Sequence, residues 1–166
     1  MQRKQFLQTV TMGASGLLLP ALTNAQTQAP EPLPATLVKD FVIAGHGNFE
    51  KTKQMLAETP NLLYATNDWG KGDFETALEG AGHVGNKEIA NWLIEKGART
   101  NLFVLTMLGK TSIVKGFLDA YPSFITAKGP HGFTLLHHAQ KGGEDAKELL
   151  DYFKSKGQTE TRISLY

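Results

Sequence analysis

Apolar residues recur along this chain in short blocks with helical spacing, and most blocks are closed by a glycine. Ile89, Trp92 and Leu93 fall at i, i+3 and i+4, and Ile113, Phe117 and Val114, Leu118 repeat the four-residue step. Such spacing lays one broad apolar stripe along a helix, and that stripe needs a neighbour to cover it. The pattern predicts helices over 49–56, 87–94, 111–118 and from about 145 to about 154. Each follows a glycine and a polar residue: Gly47-Asn48, Gly85-Asn86, Gly109-Lys110 and Gly143-Glu144. A further apolar run, 102–108, predicts a helix of its own. Gly97, after Glu95-Lys96, is placed to end a helix in the left-handed conformation that glycine adopts cheaply. Thr36 is placed to N-cap the first helix.

The turn glycines are separated by 38, 24 and 34 residues. Two segments carry a family resemblance. Residues 87–101, ending Gly97-Ala98-Arg99-Thr100-Asn101, resemble the second helix and closing turn of an ankyrin repeat. Gly132-Phe133-Thr134-Leu135-Leu136-His137-His138-Ala139 resembles the opening of such a repeat, with Leu135 in place of proline. The resemblance spans roughly 37–157. It implies an all-α fold, an ankyrin-repeat helical solenoid of about four helix pairs over 35–158. Stacked pairs would bury one continuous core. The 24-residue step is about one finger short, so the third repeat is expected to pass from Asn101 straight into its first helix. The resemblance also implies that His137 makes structural hydrogen bonds between repeats, and that the chain binds another protein through its fingers and first helices. The polar face of the last helix (Glu144, Asp145, Lys147, Glu148, Lys154) suits a solvent-facing cap. The tail, 159–166, alternates polar and apolar residues; an edge strand and a loose end both fit.

The N-terminus reads as an address. Arg3-Lys4 precede a weakly apolar stretch over 10–22, and Thr23-Asn24-Ala25 supplies the small residues of a cleavage site. Residues 1–25 are expected to be a signal peptide, similar to a twin-arginine signal with Lys4 as the second basic residue, and the protein periplasmic. The Gln- and Pro-rich stretch 26–34 is expected to be a disordered leader.

Composition narrows the chemistry. Lys and Arg number 17 against 16 Asp and Glu, a net charge of +1, which argues against a nucleic-acid binder. There is no cysteine, so disulfides, thiol nucleophiles, thiolate metal sites and a lipoprotein anchor are all excluded. No apolar run is long enough to span a bilayer. The chain is expected to be a monomer.

Candidate functional residues cluster in two segments. The loop 67–75 displays Trp69 and Phe74 among Lys71, Asp73 and Glu75, and aromatic side chains on a polar loop are frequent binding anchors. The opposite possibility is that the two aromatics fold back to plug the helices. The turn 128–133 carries His131. The expected function is a protein-binding adaptor or scaffold without chemistry, metal or cofactor. Its expected anchors are Trp69, Lys71, Asp73, Phe74, Glu79, His83, His131 and His138. Glu79 and His83 share a helix face at i, i+4, a spacing suited to a metal, but the apolar 102–108 helix offers no third ligand, and His46 is expected to face solvent. The alternative is a hydrolase-like or metal-binding site at a groove of Asp73, Glu75, His83 and His131, formed if the two loops converge. A structural subunit of an envelope complex is a third possibility.

Overall fold

A computed structural model describes residues 30–166. The expected signal peptide and residues 26–29 of the expected leader lie outside the described residues. Residues 30–34 carry no regular element. The first helix, α1 (Ala35–Gly45), starts without the expected Thr36 cap: Pro34 holds the N-cap position, with no side-chain hydrogen bond.

The later helix starts follow the polar residue after each turn. Asn48, Asn86 and Asn101 each accept a hydrogen bond from a backbone N–H three residues on. They thereby cap α2 (Phe49–Glu58), α4 (Lys87–Glu95) and α5 (Leu102–Met107). Thr76 and Glu79 satisfy each other's backbone N–H in a capping box that opens α3 (Ala77–Val84), and Gly85 ends it at φ +86°. Three more helices follow: α6 (Thr111–Ala120), α7 (Leu135–Gly142) and α8 (Lys147–Ser155). The last is preceded by a 3-10 turn, Gly143–Ala146, so it starts two residues later than the helix expected directly after Gly143-Glu144.

Two short strands interrupt the helices. In β1 (Thr66–Asp68) and β2 (Phe74–Thr76), Thr66 pairs with Thr76, Asn67 with Glu75 and Asp68 with Phe74, antiparallel. Side chains alternate across a strand, so Asn67 and Glu75 turn inward while Phe74 turns out. The tip is tight: Asp68 accepts the N–H groups of Gly70 and Gly72, and Lys71 takes φ +55°.

Helices α1 and α2 pair, as do α3 and α4, α5 and α6, and α7 and α8; α3 lies against α1 and α5, and α5 against α7. Residues 32–166 form one compact unit. Two apolar clusters fill it and meet at α5. Val104, Met107 and Leu108 join the cluster of Phe41, Leu62, Ile89 and Leu93, while Leu102 and Phe103 join that of Leu135, Leu149 and Phe153. This explains why 102–108 is apolar all round: it is covered on both sides.

The expected all-α ankyrin solenoid of four stacked pairs is corrected by this packing. A repeat in a solenoid touches only its neighbours. Here α3 packs directly on α7 as well as on α5, and an antiparallel two-stranded sheet lies within the helical chain. The tail also returns across the fold. Arg162 bridges to Phe133, Ile163 N–H donates to Gly132 O, and Tyr166 Oη donates to Gly70 O. The helices therefore form a compact packing with the C-terminal tail tied across it. No helix among the described residues is long and apolar enough to cross a membrane.

Candidate metal centre

Four side chains from four separate elements converge beside the hairpin. His46 follows the last turn of α1, Glu75 is the inward residue of β2, His83 lies in the last turn of α3, and His131 tips the turn before α7. One ligand atom from each lies within 4.8 Å of all the others. His83 Nε2 stands 2.8 Å from Glu75 Oε1 and 3.0 Å from His46 Nε2. His131 Nε2 and His46 Nε2 stand 3.4 Å and 3.6 Å from Glu75 Oε2.

Each imidazole is aimed by its outer contacts. His46 Nδ1 is 2.9 Å from the Val42 carbonyl oxygen; a carbonyl only accepts, so Nδ1 carries the proton and the Nε2 lone pair faces the cluster. His131 is held likewise, with Nδ1 2.8 Å from Asp73 Oδ2 and its backbone N–H on Asp73 Oδ1. Its φ of +59° is the strained left-handed conformation, rare for a residue other than glycine. His83 is fixed through its neighbours: Phe133 stacks on its ring, and His137 Nε2 donates to its carbonyl. Gly80 leaves the space that the His46 ring occupies.

Glu75 is the unusual member, a carboxylate with no exposed surface. Trp69 Nε1 donates to its Oε2 at 2.8 Å. Its Oε1 has no hydrogen-bond donor, because the His83 contact is close but badly directed. Burial pushes its pKa up, but the His83 contact and the charges available on His46, His83 and His131 outweigh that and hold it below the ordinary carboxylate value.

The geometry matches what a first-row divalent ion requires. Four ligands at about 2.0–2.1 Å in a tetrahedron stand roughly 3.3 Å apart; the contacts above run from 2.8 to 3.6 Å, and since the four ligand atoms as a set span up to 4.8 Å, the widest pair would draw in around an ion. Imidazole and carboxylate suit zinc and its neighbours. The outer Asp73–His131 and Val42–His46 contacts are the supports that usually orient metal-bound histidines. Two lone pairs and a carboxylate aimed at one point repel unless a proton or a cation sits among them.

The residues singled out from sequence fall in different places. Asp73, Glu75, His83 and His131 come together, so the two loops do converge. Glu79 does not join them: it caps α3 and accepts from Asn101 Nδ2. Trp69 is half-buried over the cluster, whereas Phe74 is 57% exposed and Lys71, at the tip, reaches over the Tyr166 ring. His138 is buried, its Nδ1 on the Thr134 carbonyl, and burial drives its pKa down to about 3. His137 makes a hydrogen bond between α7 and α3, and burial lowers its pKa too.

His46 is the residue that sequence reasoning missed. The expectation that it faces solvent is corrected: its side chain is 27% exposed and aimed inward. A signal was present. Ala44-Gly45-His46 before Gly47-Asn48 recurs as Ala81-Gly82-His83 before Val84-Gly85-Asn86, so both histidines sit at the C-terminal ends of adjacent helices, α1 and α3. No family model matches the chain, and no curated protein matches it either.

Proposed function

We propose that this chain is a metal-binding protein that holds one divalent first-row transition ion, with Zn²⁺ the best fit, on His46, Glu75, His83 and His131. The observation that carries this is the buried Glu75 carboxylate: its Oε1 has no donor and faces His83 Nε2 at 2.8 Å, while His131 and His46 Nε2 stand 3.4 Å and 3.6 Å from its Oε2. An unsatisfied buried carboxylate oxygen is costly, and a cation at that point removes the cost. This departs from the expectation of a metal-free adaptor. The ion would join α1, the hairpin, α3 and the 128–133 turn. His46 and His131 are 27% and 22% exposed, so solvent reaches that side of the centre. Export to the periplasm rests on the composition of residues 1–25 alone.

The test is calorimetry on chelator-stripped protein titrated with Zn²⁺. One site is expected, weakened at least about 100-fold by Glu75→Gln or His83→Gln. A protein that takes up no ion, or whose variants bind as the parent does, would refute the centre.

A second reading, a surface that holds a protein partner, is favoured by Phe74, an aromatic ring 57% exposed on the outer face of β2. Phe74→Ala is expected to weaken capture of that partner and leave Zn²⁺ binding unchanged.

A further inference from the structure

Beside the centre, and not using its inward face, lies a cleft of about 430 Å³ lined by Asp73, His131, Arg162, Ser164, Leu165 and Tyr166. That is the size of a small-molecule site. The 160–166 strap forms one wall and the outer side of the Asp73–His131 pair the other.

Arg162, Lys71 and Lys128 bring positive charge to it, against the carboxylates of Asp73 and Asp68. Arg162 has no carboxylate within ion-pair distance among the described residues, and neither do Lys71 and Lys128 nearby. Lys71 lies 5.1 Å from the Tyr166 ring centre, and Lys128 donates to Ser164 O. Both oxygens of Asp73 are engaged by His131. Asp68, the other acid at the tip, has its Oδ1 on two backbone N–H groups.

Arg162 is also held rather than free to swing. Its Nε donates to His131 O at 2.8 Å, and its guanidinium lies over the Phe133 ring, 5.4 Å from the centroid. This uses one of five N–H donors and leaves the terminal nitrogens, a planar fork shaped to grip two oxygens of one oxyanion.

We propose that this cleft binds a small molecule bearing an oxyanion, a carboxylate or a phosphate, through the Arg162 fork. The site does not depend on the metal centre, although the two share His131.

The experiment uses the full chain stripped of metal and dialysed free of chelator, titrated at low salt with inorganic phosphate and, separately, with oxalate. One saturable site is expected for at least one probe. Phosphate alone would mark a phosphoryl ligand, and oxalate alone a carboxylate. Arg162→Gln should weaken binding about tenfold or more, as the loss of a charge-assisted hydrogen-bonded pair predicts. Arg162→Lys, which keeps the charge and loses the fork, should weaken it too. Lys87→Gln removes a distant surface charge and should leave it unchanged, and His46→Gln should still bind the anion. Neither probe saturating, Arg162→Gln binding like the parent, or Lys87→Gln losing as much would each overturn the cleft. Phosphate bound only after Zn²⁺ loading would overturn it as well, while leaving the metal centre standing.

Discussion

Replacing Gly80 with alanine separates metal binding from folding. Gly80 lies on α3 one turn before His83, facing α1. A methyl there would stand 2.7 Å from both Cε1 and Nδ1 of His46 and 3.3 Å from Nε2. Comfortable contacts between such atoms run about 3.5–4.0 Å, so the ring must retreat by roughly 1 Å. It can do so cheaply, because it is the free end of a side chain with two torsions. Moving it forfeits the Nδ1–H bond to Val42 O, about 1 kcal/mol. Alanine in a helix interior returns up to about 1 kcal/mol relative to glycine. Stability should therefore change by less than about 1 kcal/mol. The lone pair of His46, however, no longer points at Glu75 and His83, and Zn²⁺ affinity should fall about 10- to 100-fold, the usual effect of losing a ligand's support. Competition titration against a zinc chelator measures the second quantity, and urea unfolding of the stripped protein the first. Affinity within twofold of the parent would refute the assignment of His46 as a ligand. A loss of more than about 3 kcal/mol would show that the ring cannot move as described.

Three further outcomes are expected. His138 is buried neutral with its pKa lowered to about 3; below its unfolded value near 6.5 the unfolded chain takes up a proton that the folded chain refuses. Stability should then fall by roughly 1 kcal/mol per pH unit from pH 6.5 towards 3, and His138→Gln should flatten that slope in urea unfolding across pH. Thr76→Ala removes half of the capping box on α3 and should cost about 1 kcal/mol in the same assay, while an unchanged midpoint would show that the cap contributes nothing. Gly109 stands at φ +66°, and a Cβ there would collide with the Asp145 carbonyl oxygen. Gly109→Ala should therefore lose roughly 2 kcal/mol or more, and thermal unfolding unchanged within 2 °C would contradict the packing of α5 against the 143–146 turn.

The two new chemical features differ in how far each could have been seen from the chain. Asp73, Glu75, His83 and His131 drew notice as a polar set, because charged and imidazole groups in Gly-rich segments have no core to join. Glu79 drew the same notice through its i, i+4 spacing to His83, yet its shorter-range partner was Thr76, three residues before it. A capping box is a local bond made as soon as α3 forms, and it takes Glu79 away from the cluster. The anion cleft had no signal at all, since Arg162 and Asp73 stand 89 residues apart and meet only when the strap crosses the 128–133 turn.

By itself the sequence determined the local helices. The apolar spacing within 87–94 and 111–118, and the asparagine after Gly47 and Gly85, act over three or four residues, and α2, α4 and α6 form at those places. Tertiary structure alone decided that α3 would reach α7, that 66–76 would pair as strands, and that His46 would turn inward to meet residues 29, 37 and 85 positions away. The physical reason is one of range. Caps and stripes are satisfied within a turn of helix, whereas the direction of an imidazole at a helix end is set by whichever distant groups the packing brings against it.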